Sequence, residues 1–171
     1  MHTSAHDHRT ATAYHEAGHL AVASHYGLPI AAVTLQPDDE EEAHAHHPLP
    51  VAHSPAPLSE VSFDTLNLIT SLLAGGIAEE KYTDALDVDV AEQDYEEAWR
   101  LAIEVADTEH AAEALLDWLT IRAEQDVTRL WNEVTAIAAR LIETGSISPQ
   151  QVHELSRDAD RRRIPRTPDA R

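Results

Sequence analysis

The chain has 171 residues, a formal net charge of −19, no cysteine and 43% hydrophobic residues. That apolar share supports one packed domain and excludes a disordered acidic chain. The charge argues against a nucleic-acid or anionic-membrane partner, because a phosphate-rich surface repels a strongly acidic chain, and the lack of cysteine leaves only His, Asp and Glu as metal donors.

Five Gly and one Phe, set against abundant Ala, Leu and Glu, favour helix over sheet. Residues 1–9 are polar, with His2, His6 and His8, and read as a flexible tail rather than a secretory leader. Thr10 is the expected N-cap of a helix over 10–26, which Gly27 and Pro29 stop. Residues 30–35 (IAAVTL) form the strand candidate, with β-branched Ile30, Val33 and Thr34. Residues 36–57 then read as a loop holding the acidic run 38–42, five prolines and His44, His46, His47 and His53. Loops of that length are usually mobile or functional.

The spacing of Val61, Leu66, Ile69, Leu72, Leu73 and Ile77 predicts a helix over 60–82. Gly75 and Gly76 inside it mark close packing or a bend. Its most apolar stretch, 66–78, is too short to cross a membrane and includes Asn67, Thr70 and Ser71. After an acidic connector over 84–90, helices are expected over 91–105 and 109–144, the latter broken near Glu124 and ended by Gly145. Ser148 followed by Pro149 opens a short helix to 156. The arginine-rich segment 157–171 reads as a flexible tail, and Trp99, Trp118 and Trp131 as core or interface anchors.

The chemistry-bearing motif is His15-Glu16-Ala17-Gly18-His19, an H-E-x-x-H pattern within the apolar run 13–23 (AYHEAGHLAVA). At about 100° per residue, positions four apart fall on one helix face a turn apart, so both imidazoles can reach one ion. Glu16 projects beside them, placed to take a proton from a water that zinc has acidified. A zinc hydrolase needs a third protein ligand and a position left open for water. The acids Asp84, Asp87, Asp89, Glu92 and Asp94 are the candidates, and Asp94 leads modestly because a carboxylate is favoured and well directed near a helix start. Glu79 and Glu80 are candidate acceptors for a ligand imidazole N–H.

Across residues 10–156 the chain resembles the peptidase domain of FtsH-type ATP-dependent zinc metalloproteases. The resemblance is carried by AYHEAGHLAVA, by AVTLQP (32–37), by LLAGGIAEE (72–80), by DYEEAWRLA (94–102) and, more loosely, by the closing segment 131–155. It implies a mainly α, helical zincin-like metallopeptidase domain with a small β element after the zinc helix. It also implies one zinc ion on His15, His19 and Asp94, Glu16 as general base, and a strand edge over 31–36 for an extended peptide. Gly76 stands where the family has arginine, and VDVAEQ (88–93) replaces its glycine-rich approach to the aspartate. The family's glycine-rich phosphate loop and membrane anchor are absent from this sequence, so the expected activity is ATP-independent.

Taken together, these features predict a cytoplasmic zinc metalloendopeptidase acting on unfolded or flexible polypeptides, without nucleic acid or membrane insertion. A homo-oligomer and a separate ATPase partner are both compatible with the sequence. The alternative is a non-catalytic, metal-stabilised protein-binding module.

Overall fold

Among the described residues, the alanine-rich, glycine-poor composition is expressed as six helices and one two-stranded sheet. The computed structural model describes residues 5–35, 63–84 and 88–163. In chain order these form α1 (Ala5–Tyr26), β1 (Val33–Thr34), α2 (Phe63–Thr83), α3 (Val88–Ala106), α4 (Glu109–Arg129), α5 (Trp131–Thr144), β2 (Ser146–Ile147) and α6 (Pro149–Arg163). The architecture is mainly α with a small β element, as the composition predicts. The histidine-rich part of the 36–57 segment, with His44, His46, His47 and His53, lies outside the described residues.

Several boundaries differ from the sequence reading. Helix α1 begins at Ala5, so Thr10 is helical rather than a cap; no Gly or Pro interrupts residues 5–10. The strand shrinks to Val33 and Thr34, paired antiparallel with Ile147 and Ser146. The Leu35 N–H extends that contact to the Gly145 carbonyl at 2.8 Å. The 109–144 stretch breaks at Leu130 rather than Glu124. Leu130 has left the helical well (φ −95°, ψ 15°) and ends α4 with its N–H on the Asp126 carbonyl. It is only 3% exposed, so this turn is held by core burial, which leaves no Gly, Pro or polar cap to read.

Ser148 and Gln151 cap α6 reciprocally: the Ser148 N–H donates to Gln151 Oε1 at 2.8 Å and the Gln151 N–H to Ser148 Oγ at 3.4 Å. The helix continues through 157–163, because the first proline comes at Pro165.

Two apolar cores meet along α2. One packs Ala13, Ala17 and Leu20 of α1 against Val134, Ile137 and Leu141 of α5, with Ala74 and Ala78 of α2 closing it. The other joins Ile69 and Leu72 of α2 to Leu101 of α3 and Leu116 and Leu119 of α4. Each fully buried Leu or Ile contributes about 1.5–3 kcal/mol. The seam between the cores is the α1–α2 contact, and the H-E-x-x-H motif lies along it. Gly18 makes this contact close: a Cβ there would overlap the Ala74 carbonyl and stand 2.7 Å from Ala78 Cβ.

A polar lock fixes the far end of α1. Tyr26 Oη donates to Asp126 of α4, while Arg122 donates to Tyr26 Oη at 3.0 Å and to Asn67 of α2 at 2.7 Å. Of the tryptophans, Trp131 stacks on Tyr14 with centroids 5.7 Å apart and Trp99 packs on the second core. Trp118 is 53% exposed, which removes the core half of its reading and leaves the interface half. Among the described residues, no helix is long and apolar enough to cross a membrane.

Candidate metal centre

His15 and His19 lie one turn apart on the buried face of α1, 2% and 5% exposed, with their rings 4.7 Å apart edge to face. Each ring is oriented from behind. His15 Nδ1–H donates to the Glu79 carboxylate at 3.0 Å, and His19 Nδ1–H donates to the Ser71 carbonyl at 2.7 Å. Ser71 Oγ–H in turn donates to the His19 carbonyl at 3.2 Å, tying the two helices at that level. With both Nδ1 atoms engaged as donors, both Nε2 atoms turn the same way.

They turn toward Asp94. Its Oδ2 stands 2.8 Å from His15 Nε2 and 3.0 Å from His19 Nε2. Asp94 sits nearly two turns into α3, not at its start, so packing of α3 on α2 directs it rather than the helix dipole. Among the described residues, His15, His19 and Asp94 are the group whose donor atoms could hold one ion, all within 4.8 Å of one another. A tetrahedral ion with bonds of about 2.0–2.1 Å needs donors roughly 3.3 Å apart, so small rotations would suffice.

The other acidic candidates are not brought into this group. Asp84 ends α2 on a bend with φ 55°, exposed, and Glu92 is exposed on α3. Asp87 lies outside the described residues, and the side chain of Asp89 is not among those described. Of the two candidate acceptors, Glu79 takes the role and Glu80 is exposed.

Gly75 makes room for the imidazoles. A Cβ on it would overlap His19 Nε2 and lie 2.8 Å from His15 Nε2. Gly75 therefore marks close approach, and any side chain at position 75 would fill the space in which the Nε2 atoms converge.

The electrostatics suit a cation. Burial alone would lower the pKa of His15, but hydrogen bonds to Asp94 and Glu79 outweigh it and raise it to about 9. His19 is raised for the same reason, burial opposed and overcome by Asp94. Burial would raise Asp94, yet the two imidazoles hold it well below the usual carboxylate range. Glu16, 7% exposed, is pushed upward, chiefly by burial and against the pull of His19 and His15. Among the described residues its buried Oε2 has no hydrogen-bond partner. A buried carboxylate oxygen normally has one, so this atom is placed for a ligand or water. Three carboxylates and two imidazoles are what a divalent cation would balance.

Searches of family models and of curated proteins return no match. The Ser71 carbonyl was not foreseeable from the sequence, because a backbone acceptor carries no residue signature. Its position one turn before Gly75 on α2 becomes meaningful only once α1 is packed against it.

Proposed function

We propose that this protein is a zinc-dependent peptidase, related to the peptidase domain of FtsH-type metalloproteases, that hydrolyses unfolded or flexible polypeptides. The observation that carries the reading is the convergence of His15 Nε2, His19 Nε2 and Asp94 Oδ2 beside the unpartnered Glu16 Oε2. His₂–carboxylate sets suit zinc and leave room for solvent.

A bound divalent ion would polarise the scissile carbonyl and acidify water. The chain's residues supply the rest. Glu79 and the Ser71 carbonyl hold both rings with Nδ1 protonated, so Nε2 is the nitrogen each ring would offer a metal once it gives up its proton. Glu16 takes a proton from the attacking water and returns it to the amine nitrogen as the C–N bond breaks. Burial lifts its proton affinity in the direction such a shuttle needs near neutral pH. Asp94 is one-quarter exposed, so the donor group opens toward solvent on that side.

A non-catalytic, metal-stabilised binding module would call for a fourth protein donor. Glu79 is spent on the Nδ1 side of His15, facing away from the convergent Nε2 atoms. Soluble, cytoplasmic, ATP-independent action is part of the same proposal.

The test compares zinc-loaded protein with its Glu16→Gln variant on a casein-like unfolded substrate. Glu16→Gln should retain zinc and lose cleavage by at least about 100-fold, the contribution of a general base. Equal cleavage by both, or none by the parent with zinc bound, refutes the reading.

A further inference from the structure

Tyr95 follows Asp94 on α3 and is 52% exposed. On its Asp94 side lies a cleft of about 220 Å³ walled mainly by Leu72, Leu73 and Ile77. That is below the roughly 300 Å³ at which drug-sized ligand sites begin, so it has room for one side chain rather than a cofactor. On its other side Tyr95 forms an open groove with Trp99, Glu96 and Glu113.

The two aromatic rings sit four residues apart on one face of α3, flanked by a carboxylate from α3 and another from α4. Aromatic faces with carboxylates attract Lys and Arg and repel acidic or phosphate groups. Among the described residues, Glu113 has a long 3.8 Å approach from His110, both exposed. Arg100, the cation of α3, is held by Glu97 and Glu104 at 2.5 and 2.6 Å. The net charge of −19 favours encounter with basic segments.

We propose that Tyr95 divides a two-part substrate subsite, in which the cleft beside Asp94 takes an apolar side chain and the Tyr95–Trp99–Glu96–Glu113 groove takes a neighbouring Lys or Arg. The inference rests on the peptidase reading for the substrate's orientation, but it concerns binding and can be measured without turnover. The preferred substrate is thus a flexible polypeptide with an apolar–basic pair.

Short fluorescein-labelled peptides carrying Leu-Arg, Leu-Gln or Gln-Arg at the same two positions are titrated by anisotropy into zinc-loaded, full-length Glu16→Gln protein. The Leu-Arg peptide should bind at least about fivefold tighter than either alternative. Glu96→Gln with Glu113→Gln should remove the arginine preference and keep the leucine preference. Glu143→Gln with Glu154→Gln makes the same charge change on α5 and α6 and should alter neither. Equal affinity for the three peptides, or equal loss in both double variants, overturns the subsite. A preserved preference in protein whose parent form cleaves nothing supports the subsite while removing the peptidase reading; cleavage without preference does the reverse.

Discussion

Gly75 of α2 lies so close to His19 that a Cβ added to it would overlap the imidazole Nε2. The smallest substitution, Gly75→Ala, must therefore push the helices apart or turn the ring away from Asp94. Overpacking of this kind costs about 1–3 kcal/mol, or roughly 3–10 °C in Tm for a chain of this size. Zinc affinity should fall at least about tenfold, the effect of losing one well-aligned donor. Chelator competition and a thermal melt measure both. Unchanged zinc affinity in folded Gly75→Ala protein would mean that the two imidazoles do not converge beside α2.

Glu79 acts on the centre through His15 Nδ1. Glu79→Gln keeps an acceptor oxygen and loses the charge, whereas Glu79→Ala loses both. Loss of such an orienting partner typically weakens metal binding about 10–100-fold. The alanine variant should fall in that range and the glutamine variant nearer parent. An isothermal titration with zinc would show the order, and parity of Glu79→Ala with parent would remove the orienting role.

The legible parts of this protein were those in which one residue type carries one physical need. The i, i+4 histidines predicted a shared face, and His15 and His19 share one. Doubled glycine predicted close packing or a bend, and Gly75 provides the close packing. The break at Leu130 was hidden because buried leucine looks like helix interior in sequence. Strand β2 was hidden because two residues show no alternation; Ser146 and Ile147 become a strand only through pairing with Thr34 and Val33. A helix-start effect gave Asp94 only a modest lead among the acids and the resemblance of residues 94–102 supplied the rest; its place in the group comes from α3 packing on α2. That is long-range information which local pattern does not carry.

Proton competition gives the centre a defined pH behaviour. His15 is raised from 6.5 to about 9 in the folded metal-free chain, so its contribution to stability is full below 6.5 and lost as pH rises through about 9. Asp94 is depressed, so its contribution is present above 3.8 and lost as pH falls. Metal-free stability should therefore peak between these limits. Zinc affinity runs the opposite way at the alkaline end, because a ligand imidazole must lose its Nε2 proton. The zinc-induced rise in Tm should grow from pH 6.5 toward 9, and calorimetry in two buffers of different ionisation enthalpy should show proton release on binding. A flat zinc response across that window would rule out His15 as a ligand.

The lock at the other end of α1 should affect stability and not the metal. Tyr26 Oη donates to Asp126 and accepts from Arg122, so Tyr26→Phe strips one partner from a carboxylate that is only 6% exposed. Arg129 still reaches Asp126 at 2.6 Å, which keeps the charge paired and limits the loss. Leaving a buried acceptor under-satisfied costs about 1–3 kcal/mol. Denaturant unfolding should show that loss, while zinc affinity stays within about twofold, as expected for separated sites that do not couple. Tyr26 lies two turns beyond His19, and its partners Asp126 and Arg122 are both on α4. A large loss of zinc affinity in Tyr26→Phe would instead show that the position of the whole α1 helix, and not only the Gly75 and Glu79 contacts, sets the convergence of the donor atoms.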